Sequence, residues 1–444
     1  MGKGGDKAGN ADIQKTYTWD EIRKHHSRDD QWIVIEGEVF DVSRWSRIHP
    51  GGSKVISHYA GQDASNVFGA FHKPQDLQKV RKYMKPILIG RVAPDQMNIA
   101  DIDKDFKELK QRAVKMNLFK PSYFFFFMQF AMIMALQTIA YLNFIYNGVH
   151  WYTFIVTTLL WGTAQAQGGW LQHDFGHISV FDNTNLNRWV QRIFTGAFKG
   201  GSGLWWNHMH NQHHAKPNVM DKDPDVRIEM LFVVGDKMPL KVAEKKSYIL
   251  PYNWQHKYFP LIGPPLLFPV YFQLTIARYF WQRKNTMKVE IFLFSLYYIS
   301  LCYIFVPIIG ILGTLLFYEL TRVIESSWFT WVAQSNHIPM TIDQDLERPW
   351  VPLQMHATRN LQKSPFNDWF TGHLNFQIEH HLFPTMPRHN LYKIKPYVKE
   401  LCLKHGIDYQ EVSLSRAFKD ILSSLRHSGE LWFDAYYNLH DKHD

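Results

Sequence analysis

Cysteine is scarce in this sequence, since only Cys302 and Cys402 occur among 444 residues. Two thiols are too few for a disulfide framework, a thiolate-ligated zinc site or an iron–sulfur cluster, and nothing here indicates an oxidising compartment. Any metal chemistry would therefore have to use histidine. The first thirty residues also lack the apolar core of a signal peptide, so we expect the N-terminus to stay in the cytosol.

Charge is moderate as well: charged residues make up 20% of the chain and aromatic residues 16%, with a net charge of +9. This combination suits a basic protein with large apolar faces better than an acidic or disordered one. A basic chain can bind nucleic acid, an anionic membrane surface or a phosphorylated substrate. The length allows two or three domains, so a small module joined to a larger body is the first architecture to test.

Four long stretches contain no Asp, Glu, Lys or Arg, and each is near or above the roughly 20 residues that cross a bilayer as a helix. They are residues 122–146, 151–171, 258–277 and 291–318. The sequence therefore predicts a multi-pass α-helical membrane protein with about four spans in two hairpins. In this arrangement one loop would face away from the cytosol, whereas the positive-inside rule would place it in the cytosol. It joins the third and fourth spans and holds Arg278, Arg283, Lys284 and Lys288.

The region before the first span has the pattern of a small α+β domain. Thr18 and Glu21 form a capping-box pair that opens a short helix, two short strands flank Gly37, and residues 87–90 resemble a returning strand. The predicted domain boundaries are a flexible tail at 1–15, the compact domain at 16–94, a charged linker at 95–121 and a membrane domain at 122–444.

Within the compact domain, the turn His49-Pro50-Gly51-Gly52 and the later His72 suit a haem site. Two histidines on opposite faces of a pocket fill both axial positions of a haem iron, which favours electron transfer over oxygen binding. Glycines after His49 would let the backbone approach the macrocycle closely. Taken alone, the turn fits an ordinary surface turn equally well.

The surrounding residues resemble cytochrome b5 over residues 17–92. The resemblance lies in three further segments, namely 39–42 before Trp45, 61–64 and 71–72. It implies that His49 and His72 are the axial ligands of a haem b. His58 is the local alternative to His72, but it lies within a predicted short helix and does not match the family position.

Three histidine-rich clusters follow predicted spans. His173 and His177 are four residues apart and would share one face if the second span continues as a helix. The second cluster, 208–214, repeats spacings of three and four, and the third occupies 377–381. The candidate ligands are His173, His177, His210, His213, His214, His380 and His381. A lone histidine is usually a core or surface residue, but this set exceeds what one ion needs and implies two metals.

Ligand type alone does not name these metals, because neutral imidazole suits iron, zinc and copper. A histidine cage at a membrane edge without thiolates, close to a haem that delivers single electrons, indicates redox chemistry on oxygen. Zinc could support hydrolysis there but would have no use for the haem.

The pattern HxxxH, HxxHH and QxxHH with a fused cytochrome b5 domain resembles the front-end acyl-CoA desaturases of animals, from Tyr17 onward. The resemblance is carried by residues 168–173 and 373–384 in particular. It implies a di-iron centre held by the seven histidines, with Gln377 standing where many other membrane desaturases have histidine. It further implies His337 as an additional ligand.

Other polar residues near the clusters have two possible roles. His208 and His373 have the wrong spacing for ligands and are expected to be supporting or surface groups. Asp174, Asn207 and Glu379 could orient ring nitrogens of the ligands, although plain solvent exposure fits them equally well.

The resemblance implies O2-dependent desaturation of a polyunsaturated fatty acyl-CoA between an existing double bond and the carboxyl end. The start of the chain, 1–5, favours position 6, with linoleoyl-CoA and α-linolenoyl-CoA as substrates, whereas 82–84 and 206–210 are similar to members that act at position 5. Alternatives are position 5 or 4 of C20 or C22 acyl-CoA, a related di-iron lipid hydroxylase, and a non-enzymatic membrane haem electron carrier.

The implied partners are the acyl-CoA, O2, NADH–cytochrome b5 reductase and membrane lipid, without nucleic acid. The implied location is the endoplasmic reticulum membrane, with both termini and the histidine clusters in the cytosol. Basic residues near the clusters could bind coenzyme A phosphates or anionic lipid head groups. They are Lys216, Lys245, Lys246, Arg388, Lys393 and Lys395. By position, 205–207 and 272–275 are candidates for the acyl tunnel.

Overall fold

The computed structural model describes residues 15–245, 250–344 and 348–438. The N-terminal strands are β1 (Thr16–Tyr17), β2 (Trp32–Ile35), β3 (Glu38–Asp41) and β4 (Leu88–Val92). They form one sheet in the order β1-β4-β3-β2, with β1 parallel to β4 and the other neighbours antiparallel. The predicted hairpin is confirmed, and its turn holds Glu36 and Gly37 at φ 52° and 78°, the left-handed conformation that a tight two-residue turn needs.

Short helices complete this unit. They are α1 (Trp19–Ile22), α2 (Ser53–Ser57), α3 (Ser65–Phe71) and α4 (Leu77–Met84). The predicted helix start is confirmed, because the Glu21 backbone N–H donates to Thr18 Oγ1 at 3.2 Å. His49 precedes α2 and His72 follows α3, so both lie at helix ends. Of the predicted tail 1–15, only residue 15 lies among the described residues.

The segment predicted as a charged linker contains a regular helix, α5 (Asp101–Lys115). Its buried residues recur at helical spacing: Ile102, Phe106, Leu109 and Ala113. The Phe106 ring lies 5.8 Å from Trp350 and 5.5 Å from Phe383, centroid to centroid. Buried apolar residues three and four apart form one stripe along a helix, so this segment packs into the core instead of tethering two bodies loosely.

The first two predicted spans are the helices α6 (Tyr123–Asn147) and α7 (Trp151–Gly176). They form a hairpin through Gly148, which has φ 69°, and Asn143 Nδ2 donates to Thr157 Oγ1 at 2.9 Å between them. Among the described residues, three helical segments are long and apolar enough to cross a membrane: Tyr123–Asn147, Tyr252–Arg283 and Lys288–Ser335. The C-terminal half of α7 is mostly buried in protein, and it carries His173.

The middle of the chain forms α8 (Thr184–Ile193), α9 (Gly203–Ala215), α10 (Lys237–Lys245), α11 (Gln255–Leu266) and α12 (Gln273–Arg283). The third predicted span, 258–277, is not one regular helix. Pro260, Pro264 and Pro265 lie inside α11, and a π-helical turn covers Leu267–Phe272 before α12. Proline removes a backbone donor and clashes with the preceding turn, so this segment bends.

The next helix, α13 (Lys288–Ser335), folds back on itself at Gly310, whose φ of 69° and ψ of 174° are not helical. The hydroxyl oxygens of Tyr298 and Tyr318 lie 3.1 Å apart, and the rings of Phe305 and Phe317 lie 4.6 Å apart. Twenty residues of straight helix would separate the two tyrosines by about 30 Å. The prediction of a single fourth span over 291–318 is therefore wrong. The run is instead the tip of a hairpin with arms 288–309 and 311–335.

The C-terminal part covers the ends of the long helices. It comprises α14 (Trp350–Ala357), β5 (Asn360–Leu361), α15 (Pro365–Phe370), α16 (Gln377–Leu382), α17 (Leu391–Lys404), β6 (Glu411–Val412) and α18 (Leu414–Asn438). The strand β5 pairs with β6 in parallel, and Gln255 Nε2 donates to the Leu425 carbonyl at 2.6 Å, which fixes α18 against α11. This packing brings α16 to the ends of α7 and α9.

Candidate metal and haem sites

His49 and His72 face each other across a cavity in the N-terminal unit, with ring centroids 6.3 Å apart. His72 Nδ1–H donates to the Phe68 carbonyl oxygen at 2.8 Å, and His49 Nδ1 lies 3.5 Å from the Gly52 carbonyl oxygen. Each ring therefore keeps Nε2 for a metal. Burial lowers the pKa of both rings, that of His49 to about 4, so both are neutral at pH 7.

This geometry fits a haem iron between the two rings. Two metal–nitrogen bonds of about 2 Å on opposite sides, with half a ring at each end, span about 6 Å. The cavity volume of about 720 Å³ is within the roughly 300–1,000 Å³ of cofactor sites. A Cβ at Gly51 would lie 2.7 Å from the His49 ring, which explains the glycine there. His58 does not line the cavity.

The histidine clusters meet at the ends of α7, α9 and α16. One group comprises five histidines whose ligand nitrogens all lie within 4.8 Å of one another. Its members are His173, His177, His210, His214 and His380. Residues four apart on a helix share a face, so the end of α7 and the helix α9 each supply a pair to this group.

The nitrogen spacing in this first group is that of ligands around one ion. His210 Nε2 lies 2.9 Å from His177 Nε2 and 3.1 Å from His214 Nε2, and His214 Nε2 lies 3.1 Å from His380 Nε2. One imidazole nitrogen offers either an N–H or a lone pair, so hydrogen bonds cannot satisfy this whole chain of contacts. Nitrogens bound at right angles to one metal at about 2.1 Å lie about 3 Å apart.

A second group joins His213, His337 and His381, again with ligand nitrogens within 4.8 Å of one another. The rings of His214 and His381 stack 4.1 Å apart, so the two groups adjoin. Gln377 Nε2 lies 2.8 Å from His337 Nε2, and Gln377 Oε1 is buried without a hydrogen-bond partner among the described residues. The structure thus brings all seven box histidines, His337 and Gln377 together.

The rings in the second group are oriented by residues outside the clusters. His213 donates Nδ1–H to Asp223 Oδ2 at 2.8 Å, and His381 donates Nδ1–H to Gln354 Oε1 at 2.9 Å. His337 donates in the same way to a backbone carbonyl at 3.0 Å. These bonds turn each Nε2 inward, and His381 Nε2 has no hydrogen-bond partner within the described part of the chain. A buried nitrogen without a hydrogen-bond partner is the kind of atom that a metal ion would bind.

The rings of His380 and His381 are in the protonation state that metals require, whereas the Asp223 carboxylate, against the effect of burial, raises the pKa of His213 to about 9, so that ring would release a proton on binding a metal. Burial, and then the neighbouring imidazoles, hold the pKa values of His380 and His381 well below the usual value for histidine. Neutral imidazoles bind a metal without first releasing a proton. The residues present therefore fit two ions held mainly by imidazole nitrogen.

The sequence did not identify Asp223 and Gln354, because neither has a spacing relation to a histidine cluster. The residues proposed for this role have other partners. Asp174 pairs with Arg388 at 3.2 Å, Asn207 bonds Gln191 at 2.8 Å, and Glu379 accepts from Tyr409 at 2.5 Å. Of the residues with unsuitable spacing, His208 stacks near Tyr279 and His373 begins a short helical turn, and neither belongs to a metal group.

Changing Asp223 to asparagine is expected to lower metal affinity and activity by about 10- to 100-fold, because the charged acceptor that orients His213 becomes neutral. Asp221→Asn is the matched control, since Asp221 is exposed and pairs with Lys241 instead. Iron content and product formation, measured on both variants, check the prediction. Equal values in the two variants would exclude an orienting role for Asp223.

A small cavity of about 40 Å³ adjoins both histidine groups. Its apolar wall includes Trp206, Phe329 and Leu374, and its histidines include His173 and His213. A cavity of this size has room for a few water molecules beside the metal ligands but not for an acyl chain. Of the tunnel candidates, residue 206 lines this cavity and the segment 272–275 does not.

Most basic residues proposed for a phosphate group are already engaged. Arg388 is buried and pairs with Asp174, and Lys216 is buried and donates to Gln62 at 2.9 Å. Lys393 donates to Asn390, just before α17, at 2.8 Å, and Lys395 donates to Glu411 at 2.6 Å. Lys245 is exposed at the end of α10, and Lys246 lies outside the described residues. The proposals for Lys216 and Arg388 are therefore wrong, because burial removes both from solvent.

The haem-type cavity adjoins the metal groups directly. Asn211 on α9 donates to the Gly51 carbonyl oxygen at 3.2 Å, next to His49. The Phe71 ring, beside His72, meets the His214 ring edge to face with centroids 6.5 Å apart. Residues next to each proposed haem ligand thus touch the helix that carries three metal-group histidines.

Comparison with known proteins yields two family matches. A family model described as Fatty acid desaturase matches residues 149–413, and one described as Cytochrome b5-like Heme/Steroid binding domain matches residues 18–93. Among solved structures, the chain is similar to cytochrome b5 of Ostreococcus tauri virus 2. The identity is 35%, over 18% of this chain and 96% of that chain, with a TM-score of 0.16.

Proposed function

Because the chain belongs to the fatty acid desaturase family and carries a cytochrome b5 domain, we propose that it inserts a double bond into a polyunsaturated fatty acyl-CoA. The new bond forms between an existing double bond and the carboxyl end, at position 6 of linoleoyl-CoA and α-linolenoyl-CoA. The observation that carries this proposal is the pair of histidine groups beside a bis-histidine cavity.

The protein residues have distinct parts in this proposal. The first histidine group holds one iron, and His213, His337 and His381 hold the other, with Gln377 beside them. When bound, a di-iron pair supplies the oxidising power, with O2, that an unactivated C–H bond requires. General-base chemistry would not suffice, because the hydrogens of a saturated carbon are not acidic. Trp206, Phe329 and Leu374 would give the substrate carbon an apolar surface beside the ligands.

The haem part of the proposal rests on His49 and His72. With both axial positions filled by imidazole, a haem b there would supply single electrons and would not bind oxygen. The family implies a di-iron centre and the cytochrome b5 domain implies haem, so the reductant we propose is NADH with its cytochrome b5 reductase. A haem carrier without catalysis would leave the eight histidines of the two groups without a role.

We further propose four membrane crossings: α6, α7 and the two arms of α13. His177 and His337 lie in adjoining groups, so the chain between them must cross the membrane an even number of times. The arms of α13 supply two crossings, and each is long enough at about 1.5 Å per residue. The segment Tyr252–Arg283 then stays on one side, in agreement with its prolines and its π-helical turn.

This topology removes the conflict in the charge pattern. With Tyr252–Arg283 on the side of the histidines, the basic loop that follows it faces the cytosol, as the positive-inside rule requires. Its basic residues are Arg278, Arg283, Lys284 and Lys288. The endoplasmic reticulum membrane, with both termini cytosolic, is the location we propose.

Cysteine labelling distinguishes this topology from the two-hairpin prediction. In a background without Cys302 and Cys402, we expect Asn285→Cys to react with an impermeant maleimide in sealed cytosol-side-out microsomes. Leu312→Cys, exposed beside the Gly310 turn, is expected to react only after the membrane is opened. Protection of Asn285→Cys until the membrane is opened would restore a crossing at 258–277.

The function itself is tested in yeast lacking these activities, fed separately with linoleic, α-linolenic and eicosatrienoic acids. Mass spectrometry of the products is expected to show a new double bond at carbon 6, lost in His177→Ala and in His49→Ala but retained in His208→Ala. Unsaturation at carbon 5 or 4 would keep the reaction and change the position. A hydroxylated product, or no product while haem is bound, would contradict desaturation.

A further inference from the structure

The haem-type cavity is lined by the membrane domain as well as by the cytochrome b5 unit. The residues from beyond the small domain come from four places: the end of α7, the start of α8 with the loop before it, the helix α9 and the segment after α16. Among them are His177, Asn183, Arg188, Asn207 and Asn211. Of these five residues, Arg188 carries a full positive charge.

Arg188 lines this cavity without a partner for its charge. Within residues 15–245, 250–344 and 348–438 it makes no hydrogen bond and no ion pair with a carboxylate. The carboxylate whose charge acts on it is that of Asp76, which already accepts from Thr184 Oγ1 at 3.0 Å. Burial lowers the pKa of Arg188, and after burial its charge is among the groups that depress the pKa values of His49 and His72.

The other cations that line the cavity differ from Arg188. Lys73 Nζ donates to the Phe181 carbonyl oxygen at 2.5 Å, so it has an acceptor. Lys79 is exposed to solvent on α4. A guanidinium withdrawn from water without an acceptor is costly, whereas a solvated ammonium is not. Arg188, half-buried and without an acceptor among the described residues, is therefore the cation of this cavity that an anionic ligand would stabilise most.

Haem b supplies such an anion, because it carries two propionate carboxylates at one edge. The planar guanidinium matches a carboxylate with two parallel hydrogen bonds, which a lysine cannot do. We propose that Arg188 of the membrane domain binds a haem carboxylate and so completes the haem site from across the domain boundary. The inference rests on the proposed haem between His49 and His72.

The proposal has a structural consequence. Thr184 bonds Asp76, Phe181 accepts from Lys73, and Asn211 bonds Gly51, so the domain contact surrounds the cavity. A haem held by both sides makes haem occupancy and domain docking favour each other. Replacing Arg188 with a neutral residue would therefore weaken haem binding, even with both axial histidines intact.

The test uses haem-free full-length protein, reconstituted with haem b or with its dimethyl ester, in which both carboxylates are blocked. Arg188→Gln is expected to increase the dissociation constant for haem b about tenfold or more, the effect of losing one charge-assisted contact. The same substitution is expected to change binding of the dimethyl ester less than about twofold. Arg188→Lys should recover part of the affinity for haem b.

The matched control is Arg91→Gln, which removes the same charge from an exposed strand position outside the cavity and should leave both dissociation constants unchanged. Equal weakening of both haems by Arg188→Gln would overturn the proposal in favour of a packing role. No weakening of either would overturn it outright. Absence of a bis-histidine spectrum in the unmodified protein would instead contradict the haem site itself, so the two failures are distinguishable.

Discussion

Replacing His337 with alanine is expected to reduce desaturation at least about a hundredfold and to lower the non-haem iron bound per chain. His337 is one of three imidazoles in the second group, so His213 and His381 alone would remain there. Two imidazoles leave an iron with too few protein ligands to be retained. The haem spectrum should not change, because His337 does not line the haem-type cavity.

His356→Ala provides the comparison for this variant. His356 is exposed on α14 and belongs to neither histidine group, so its loss should alter neither iron content nor product. Metal analysis of purified protein, with the yeast product assay, measures both quantities. Full iron content and full activity in His337→Ala would show that the second group holds no catalytic metal.

The box histidines could be found from the sequence because their spacing is a local property. His173 and His177, like His210 and His214, are four apart, and four residues of helix return a side chain to the same face. The structure places these four in one group with His380. His337 has no such local signature, and it came from family resemblance alone. Its place depends on the fold of α13.

The orienting residues could not be found in the same way. Asp223 lies in a loop, 10 residues after His213, and Gln354 lies on α14, 27 residues before His381. Aspartate and glutamine are ordinary loop and helix residues, so composition gives no signal. Only the packing of α9 against the loop that follows it, and of α14 against α16, brings them to the imidazoles.

The error in the fourth predicted span has a physical origin. Hydropathy records whether a residue is apolar but not whether the backbone turns, and the run around Gly310 stays apolar through the turn. Pro307 and Gly310 are tolerated in membrane helices, so neither alone indicates a reversal. The basic loop at 278–288 was the one observation in the sequence that opposed the two-hairpin arrangement, and it agrees with the hairpin within α13.

The helix within the predicted charged linker could not be recognised from composition. Charged residues on the outer face of α5 dominate its composition, while a buried stripe through Phe106 packs it against Trp350 and Phe383. Asp105 adds ion pairs to Lys404 at 2.7 Å and to His405 at 2.6 Å. These contacts hold the cytochrome b5 unit against the membrane domain. The Phe71 ring of that unit therefore stays in contact with the His214 ring of the metal site.

Replacing His72 with alanine is expected to remove the reduced haem absorbance completely and to reduce NADH-dependent desaturation at least about a hundredfold, with non-haem iron retained. His58→Ala is the sharpest comparison, because His58 is the local alternative to His72 and is buried, yet lies outside the cavity lining. His72 faces His49 at 6.3 Å, whereas the His58 segment bonds Lys222 through its carbonyl oxygen at 2.9 Å. Haem should therefore persist in His58→Ala. Haem lost from His58→Ala and kept in His72→Ala would reverse the assignment of the second axial ligand.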